Sequence, residues 1–139
     1  MARVQIRYRS GYKYQLVDEY SVRVSVIPDE NIGTEFIDLN TDGILVIKRG
    51  YAWDGPSGPT IDTKNFMRGS LIHDALYQLM RQKHLSSGRW RVEADLDLKL
   101  ICREDGMSRI RAWWVHLGVR LGGGPAASPE SRKKIYAAP

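Results

Sequence analysis

A single cysteine, Cys102, is all the thiol this chain carries. An internal disulfide is therefore excluded, and the composition fits a reducing compartment of synthesis. Cys102 lies in an apolar stretch, Leu100-Ile101-Cys102, which points to a buried, inert thiol rather than a nucleophile. Histidine is also scarce: there are three, His73, His84 and His116. No histidine precedes His73, so a metal phosphohydrolase with upstream His ligands is a weak reading. His84 and His116 have no ligand spacing with each other or with Cys102, which argues against structural zinc. No Gly-x-Ser-x-Gly elbow is present to support an acyl nucleophile. No apolar run approaches the roughly 20 residues that span a bilayer. Met1-Ala-Arg-Val-Gln-Ile-Arg lacks the apolar core of a signal peptide, so the expectation is a protein made without export.

What is present is an ordinary globular composition, 42% hydrophobic and 27% charged over 139 residues. That length and balance predict one domain. The net charge of +5 is compatible with anionic lipid, nucleic acid or an acidic protein face. A solvated surface is the default reading for most of the basic residues. Nucleic-acid binding has no aromatic-basic motif behind it and is not expected.

The hydrophobic period changes once along the chain. Residues 3–9 and 12–27 alternate, with Val22, Val24 and Val26 on one face and Ser21, Arg23 and Ser25 on the other. That period of two predicts strands. Pro28-Asp-Glu-Asn is a turn, and residues 35–39 and 44–49 around Asn40-Thr-Asp-Gly43 read as a hairpin. From residue 64 the period becomes helical. Helices are predicted near 64–83, 90–104 and 107–121, with Ser86-Ser-Gly88 breaking the first and Gly122-Gly-Gly-Pro125 ending the last. The fold class expected is α+β. A small amino-terminal antiparallel sheet (1–50) is followed by a loop (51–63), an antiparallel helix pair and a third helix (64–121). All of this forms one domain over 1–124, with an extended basic tail over 125–139. Trp113 and Trp114 are adjacent and cannot share a face. One is expected in the core, the other exposed as at a lipid or protein interface.

Chemistry concentrates in His73-Asp74-Ala75-Leu76-Tyr77 and in Ala94-Asp95, with Asp95 22 residues after His73. His73 and Tyr77 are one helical turn apart and share a face, while Asp74 is turned about 100° from His73. A short connection makes the two helices antiparallel neighbours. Asp95 or Asp97 then reaches the His73 ring, but they point to different sides, so one does; Asp97 is expected on the surface. A carboxylate on one ring nitrogen orients histidine to take a proton from water with the other. The loop Tyr51-Ala-Trp-Asp-Gly-Pro-Ser-Gly-Pro-Thr-Ile-Asp62 is rich in Gly and Pro, which lets carbonyls converge. With Asp74, such carbonyls suit a hard cation such as calcium.

This order of loop, His-Asp-x-x-Tyr and Ala-Asp resembles the phospholipase A2 superfamily, most nearly the disulfide-free versions carried by some viral capsid proteins. The resemblance implies His73 as general base, Asp95 as its orienting partner and Tyr77 as support for the network. It also implies a calcium ion, Ca2+, held by Asp74 with carbonyls around Trp53, Gly55 and Gly58. The chain is also similar, over about residues 44–120, to a protein family common in tailed phages and prophages. That similarity runs through the Asp/Ser/Pro loop, His73-Asp74-x-x-Tyr77 and Arg91-x-x-Ala94-Asp95. There are departures: the segment from Pro59 to His73 is longer than in the lipases, the loop reads Gly55-Pro-Ser-Gly58 rather than Gly-x-Gly, and the amino-terminal sheet has no lipase counterpart. The function implied is calcium-assisted ester hydrolysis of phospholipid at a membrane surface. The competing reading is a non-enzymatic virion structural or accessory protein of a tail or capsid, made in the host cytoplasm. It would assemble with other phage structural proteins or copies of itself, its His/Asp cluster structural or degenerate.

Overall fold

The computed structural model describes residues 5–9, 14–53 and 63–128, with the side chain of Arg9 left out. The expected α+β class is found: antiparallel sheets come first and helices follow. Among the described residues the strands are β1 (Tyr8–Arg9), β2 (Tyr14–Leu16), β3 (Tyr20–Arg23), β4 (Ile32–Gly33), β5 (Ile37–Leu39), β6 (Ile44–Ile47) and β7 (Ala52–Trp53). They form two antiparallel sheets rather than the one expected, in the orders β1-β2-β7 and β3-β6-β5-β4. The helices are α1 (Lys64–Arg81), α2 (Ser87–Glu104), α3 (Arg109–Gly122) and α4 (Gly124–Ala127).

The period-two face is real. Val22, Val24 and Val26 are buried, and Ser21, Arg23 and Ser25 are exposed. The hairpin β5–β6 turns where expected, and Asn40 explains how. Its side-chain Oδ1 accepts from the backbone N–H groups of Asp42 and Ile44, each at 2.9 Å. Gly43 completes the turn at φ +79, and a Cβ there would meet the Val24 carbonyl oxygen at 2.9 Å. A second glycine divides the two sheets. Gly50, at φ +93, donates to the Leu16 carbonyl while Leu16 donates to Tyr51, each at 2.8 Å. This bulge with glycine at its first position bends the chain out of β6 into β7.

Helix α1 is buried around most of its circumference, because the sheets lie on one side and α2 on the other. Leu71, Ile72, Leu76, Leu79 and Met80 pack with Ile37, Leu39, Leu45 and Ile47 in the main core. Each such side chain contributes about 2 kcal/mol on leaving water. A second cluster, Phe66, Leu98, Cys102, Met107, Ala112 and Val115, joins α1, α2 and α3. Burial pushes the Cys102 thiol up to about 12, so it stays protonated, as its apolar setting implied.

Several boundaries differ from those expected. Ser86 does not break α1, which stops at Arg81 with Lys83 at φ 66; it starts α2 instead, as its N-cap, its hydroxyl accepting from Arg89 N at 3.2 Å. Gly123 and Pro125 do end α3, yet Gly124–Ala127 folds into one more short helical turn, and Ala127 is buried in the main core. The tail therefore begins later than residue 125; residues 129–139 lie outside the described residues. Neither tryptophan of the pair is core: Trp113 and Trp114 are 50% and 61% exposed. The inner face of α3 is made instead by Ala112, Val115 and Val119, residues small enough for close helix packing. Among the described residues no helix is long and apolar enough to cross a membrane.

Candidate active site

Three helices converge on one carboxylate. Asp95 on α2 is fully buried, and its Oδ1 lies 2.8 Å from His73 Nε2 and 2.5 Å from the Tyr77 hydroxyl, which donates to it. His73 and Tyr77 come from successive turns of α1, their ring centroids 4.1 Å apart. Arg120, from the last turn of α3, donates to the other oxygen, Oδ2, at 2.8 Å. Arg91, one turn before Asp95, donates through Nε to the Tyr77 hydroxyl at 3.1 Å, and that Nε lies 3.9 Å from Oδ2.

The charge state follows from this shell. Burial alone would raise the Asp95 carboxyl. Hydrogen bonds from His73, Tyr77 and Arg120 outweigh burial and hold it below the usual carboxylate range. An ionised carboxylate only accepts, so the neutral His73 ring carries its proton on Nε2 and its lone pair on Nδ1. No hydrogen bond to Nδ1 is made among the described residues, and the His73 side chain is 9% exposed. Burial, then the hydrogen bond to Asp95, pushes the Tyr77 hydroxyl well above its ordinary range. Tyr77 is therefore a neutral donor to Asp95.

Arg91 also does structural work. Its Nη2 donates to the carbonyls of Val119 at 2.8 Å and Arg120 at 2.9 Å. Val119 O also accepts from Gly123 N at 2.9 Å, and both carbonyls lie at the carboxyl end of α3, where a cation is favoured by the helix dipole. The same arginine thus steadies Tyr77 and the end of α3.

The choice between the two α2 carboxylates is decided by their directions. Asp95 meets His73. Asp97 turns to the sheet side, where it accepts from Ser25 N and Ser25 Oγ, each at 2.7 Å. Asp97 is 6% exposed, which corrects the expectation of a surface carboxylate.

Asp74, half-buried, stands one residue beyond His73 on α1. Trp53 is buried in β7, which pairs with β2, and its indole donates to Ser70 Oγ at 3.0 Å. Ser70 and Asp74 are four residues apart on α1 and share a face. The chain therefore enters its 54–62 segment beside the face that carries Asp74. Gly55 and Gly58 lie in that segment, outside the described residues. Among the described residues, no three His, Cys, Asp or Glu side chains gather as a metal cluster. A calcium site of the kind implied is built differently, from one carboxylate and several carbonyls. Asp74 is the right hard donor for it, and the carbonyls would come from the loop.

Of the two arginines at the site, Arg91 already stands in the Arg91-x-x-Ala94-Asp95 motif, and Arg120 had no signal in the sequence. Arg91 stands at i, i+4 to Asp95, a spacing that marks an ion pair on one helix. Arg120 lies 25 residues from Asp95, and no local pattern links them.

No protein-family model, curated protein or solved structure matches the chain. The functional reading accordingly rests on the motifs and on this geometry.

Proposed function

We propose that the protein is a phage-associated ester hydrolase acting on phospholipid, with His73 as general base and Asp95 as its orienting partner. The observation that carries the reading is the 2.8 Å contact from His73 Nε2 to a buried carboxylate that also accepts from Tyr77. In the reaction, Nδ1 of His73 takes a proton from water as the water oxygen attacks the ester carbonyl. The imidazolium, steadied by Asp95 through Nε2–H, then returns that proton to the departing alkoxide oxygen. Tyr77 and Arg120 keep Asp95 from rotating away. A calcium ion held by Asp74 and loop carbonyls around Trp53, Gly55 and Gly58 would supply electrostatic stabilisation of the oxyanion.

The test is fatty-acid release from mixed phospholipid micelles, with calcium or with chelator. Calcium-dependent release by the wild type, absent in His73→Ala and lost or restored only at much higher calcium in Asp74→Asn, is the expected result. No release from folded wild type across several head groups overturns the reading.

One observation favours a second reading. Asp95 binds side chains from two other helices, and Arg91 closes the end of α3. Such a network also serves as a structural pin in a virion structural or accessory protein, with other phage proteins or further copies as partners. In that case His73→Ala lowers the melting temperature steeply, and no lipid is turned over.

A further inference from the structure

The outer face of α3 is apolar, and nothing among the described residues covers it. Ile110, Trp113, Trp114 and Leu121 are 74%, 50%, 61% and 79% exposed. With half-buried Leu117 they recur at i, i+3, i+4, i+7 and i+11, a single stripe along the helix. The inner stripe of the same helix already supplies the core, so this one is surplus to folding. On α2, Leu96 and Leu100 are also exposed, 44% and 54%. Between the two helices, Lys99, Arg103 and Arg109 line an open groove of about 640 Å³ together with Ile110, Trp113 and Trp114. A contiguous apolar surface rimmed by polar groups marks an interaction site.

Charge selects the occupant. Helix α3 holds Arg109, Arg111 and Arg120 and no acidic residue. The nearby carboxylates Glu104 and Asp105 are taken by Arg68, at 3.0 and 2.9 Å. A second copy docked on the same face would set Lys99, Arg103 and Arg109 against their own kind. A nucleic acid would satisfy the cations but leave Leu96, Leu100, Ile110 and Leu121 against phosphate. An anionic lipid surface satisfies both: indoles and aliphatic side chains enter the headgroup boundary, and Lys and Arg reach the headgroup phosphates on their alkyl stems.

We propose that the outer face of α2 and α3 is a docking surface for anionic membranes, with Trp113 and Trp114 as its anchors. Trp113 and Arg120 are seven residues apart on one stripe, about 10 Å along the helix. Arg120 holds Asp95, so docking brings the His73 site close to the bilayer. The surface stands on its own observations, and it presents lipid to His73 if the hydrolase reading holds.

The test is co-sedimentation with vesicles of phosphatidylcholine alone or mixed with phosphatidylserine. It uses wild type in chelator and His73→Gln in parallel, so that no lipid is consumed. The expected result is binding to the mixed vesicles only, weakened by salt, with a blue shift of tryptophan fluorescence. The double change Trp113→Ser with Trp114→Ser loses about tenfold or more in affinity. Arg103→Gln and Arg109→Gln each lose about fivefold. Absence of binding by folded protein overturns the proposal, as does undiminished binding by the tryptophan pair variant. Self-association that the tryptophan variant abolishes, without vesicle binding, gives the face to a second copy and overturns it too. Failure here leaves the hydrolase test untouched, since micelle hydrolysis and vesicle binding are read separately.

Discussion

Tyr77 donates to the same Asp95 oxygen that His73 Nε2 reaches, at 2.5 Å and 2.8 Å respectively. Two donors one turn apart on α1 thus fix the rotamer of a carboxylate on α2. Among the described residues, His73 is oriented by groups on helices alone.

Tyr77→Phe removes that hydroxyl and leaves Arg91 Nε without its acceptor. The cost expected is about 1–3 kcal/mol in urea unfolding, since buried Asp95 and half-buried Arg91 each lose a partner. Fatty-acid release, where it occurs, falls far less than in His73→Ala because the His73–Asp95 contact remains.

Asp95 gives the fold a pH dependence. Its carboxyl titrates below the usual range in the folded protein, so the unfolded chain takes up the proton first. Its stabilisation is complete above the unfolded value, near pH 4, and is lost as the pH falls through the lower folded value. Asp95→Asn should therefore cost about 3 kcal/mol at neutral pH, because Arg120 and Arg91 lose their counter-charge. The gap between wild type and variant should close in strong acid. Chemical denaturation at pH 7 and at steps down into strong acid measures both limbs.

At Gly69, α1 packs tightly against α2. A Cβ there would lie 2.9 Å from Cys102 Sγ and 3.0 Å from Leu98 Cδ1. Gly69→Ala must push the two helices apart or twist Cys102, at about 1–3 kcal/mol. The site should suffer with it, because His73 is one turn further along the same helix pair. A melting curve and the micelle assay report on the two effects.

Lys83 ends α1 in the left-handed region, at φ 66. His84 N donates back to Leu79 O at 2.9 Å, the long hydrogen bond of a helix stop that glycine usually makes. Lys83→Gly should stabilise the protein by up to about 1 kcal/mol, as relief of the side-chain clash exceeds the added chain entropy. Unchanged or lower stability would show that the Lys83 side chain earns its position elsewhere.

Much of this architecture is legible locally. Val22, Val24 and Val26 are buried because alternation needs only the pleat. The turn at Asn40–Gly43 is readable because Asn and Gly act on their own backbone. The pairing of His73 with Tyr77 follows from helical spacing alone. Arg91 is half-legible for the same reason. Trp113 and Trp114 were not legible: both sit in an apolar helical pattern, yet α3 has two apolar stripes, and spacing cannot tell which one meets α2.

The sequence by itself determined the period of each segment, and so the strands, the helices and the face shared by His73 and Tyr77. Local sterics and short-range hydrogen bonds suffice for these. Only the tertiary structure decided that Asp95 rather than Asp97 meets His73, because that depends on how α2 is rotated against α1. Only the tertiary structure brought Arg120 to Asp95, across 25 residues, and sent Asp97 to Ser25, across 72. Contacts of that range depend on packing the whole chain, and no local pattern encodes them.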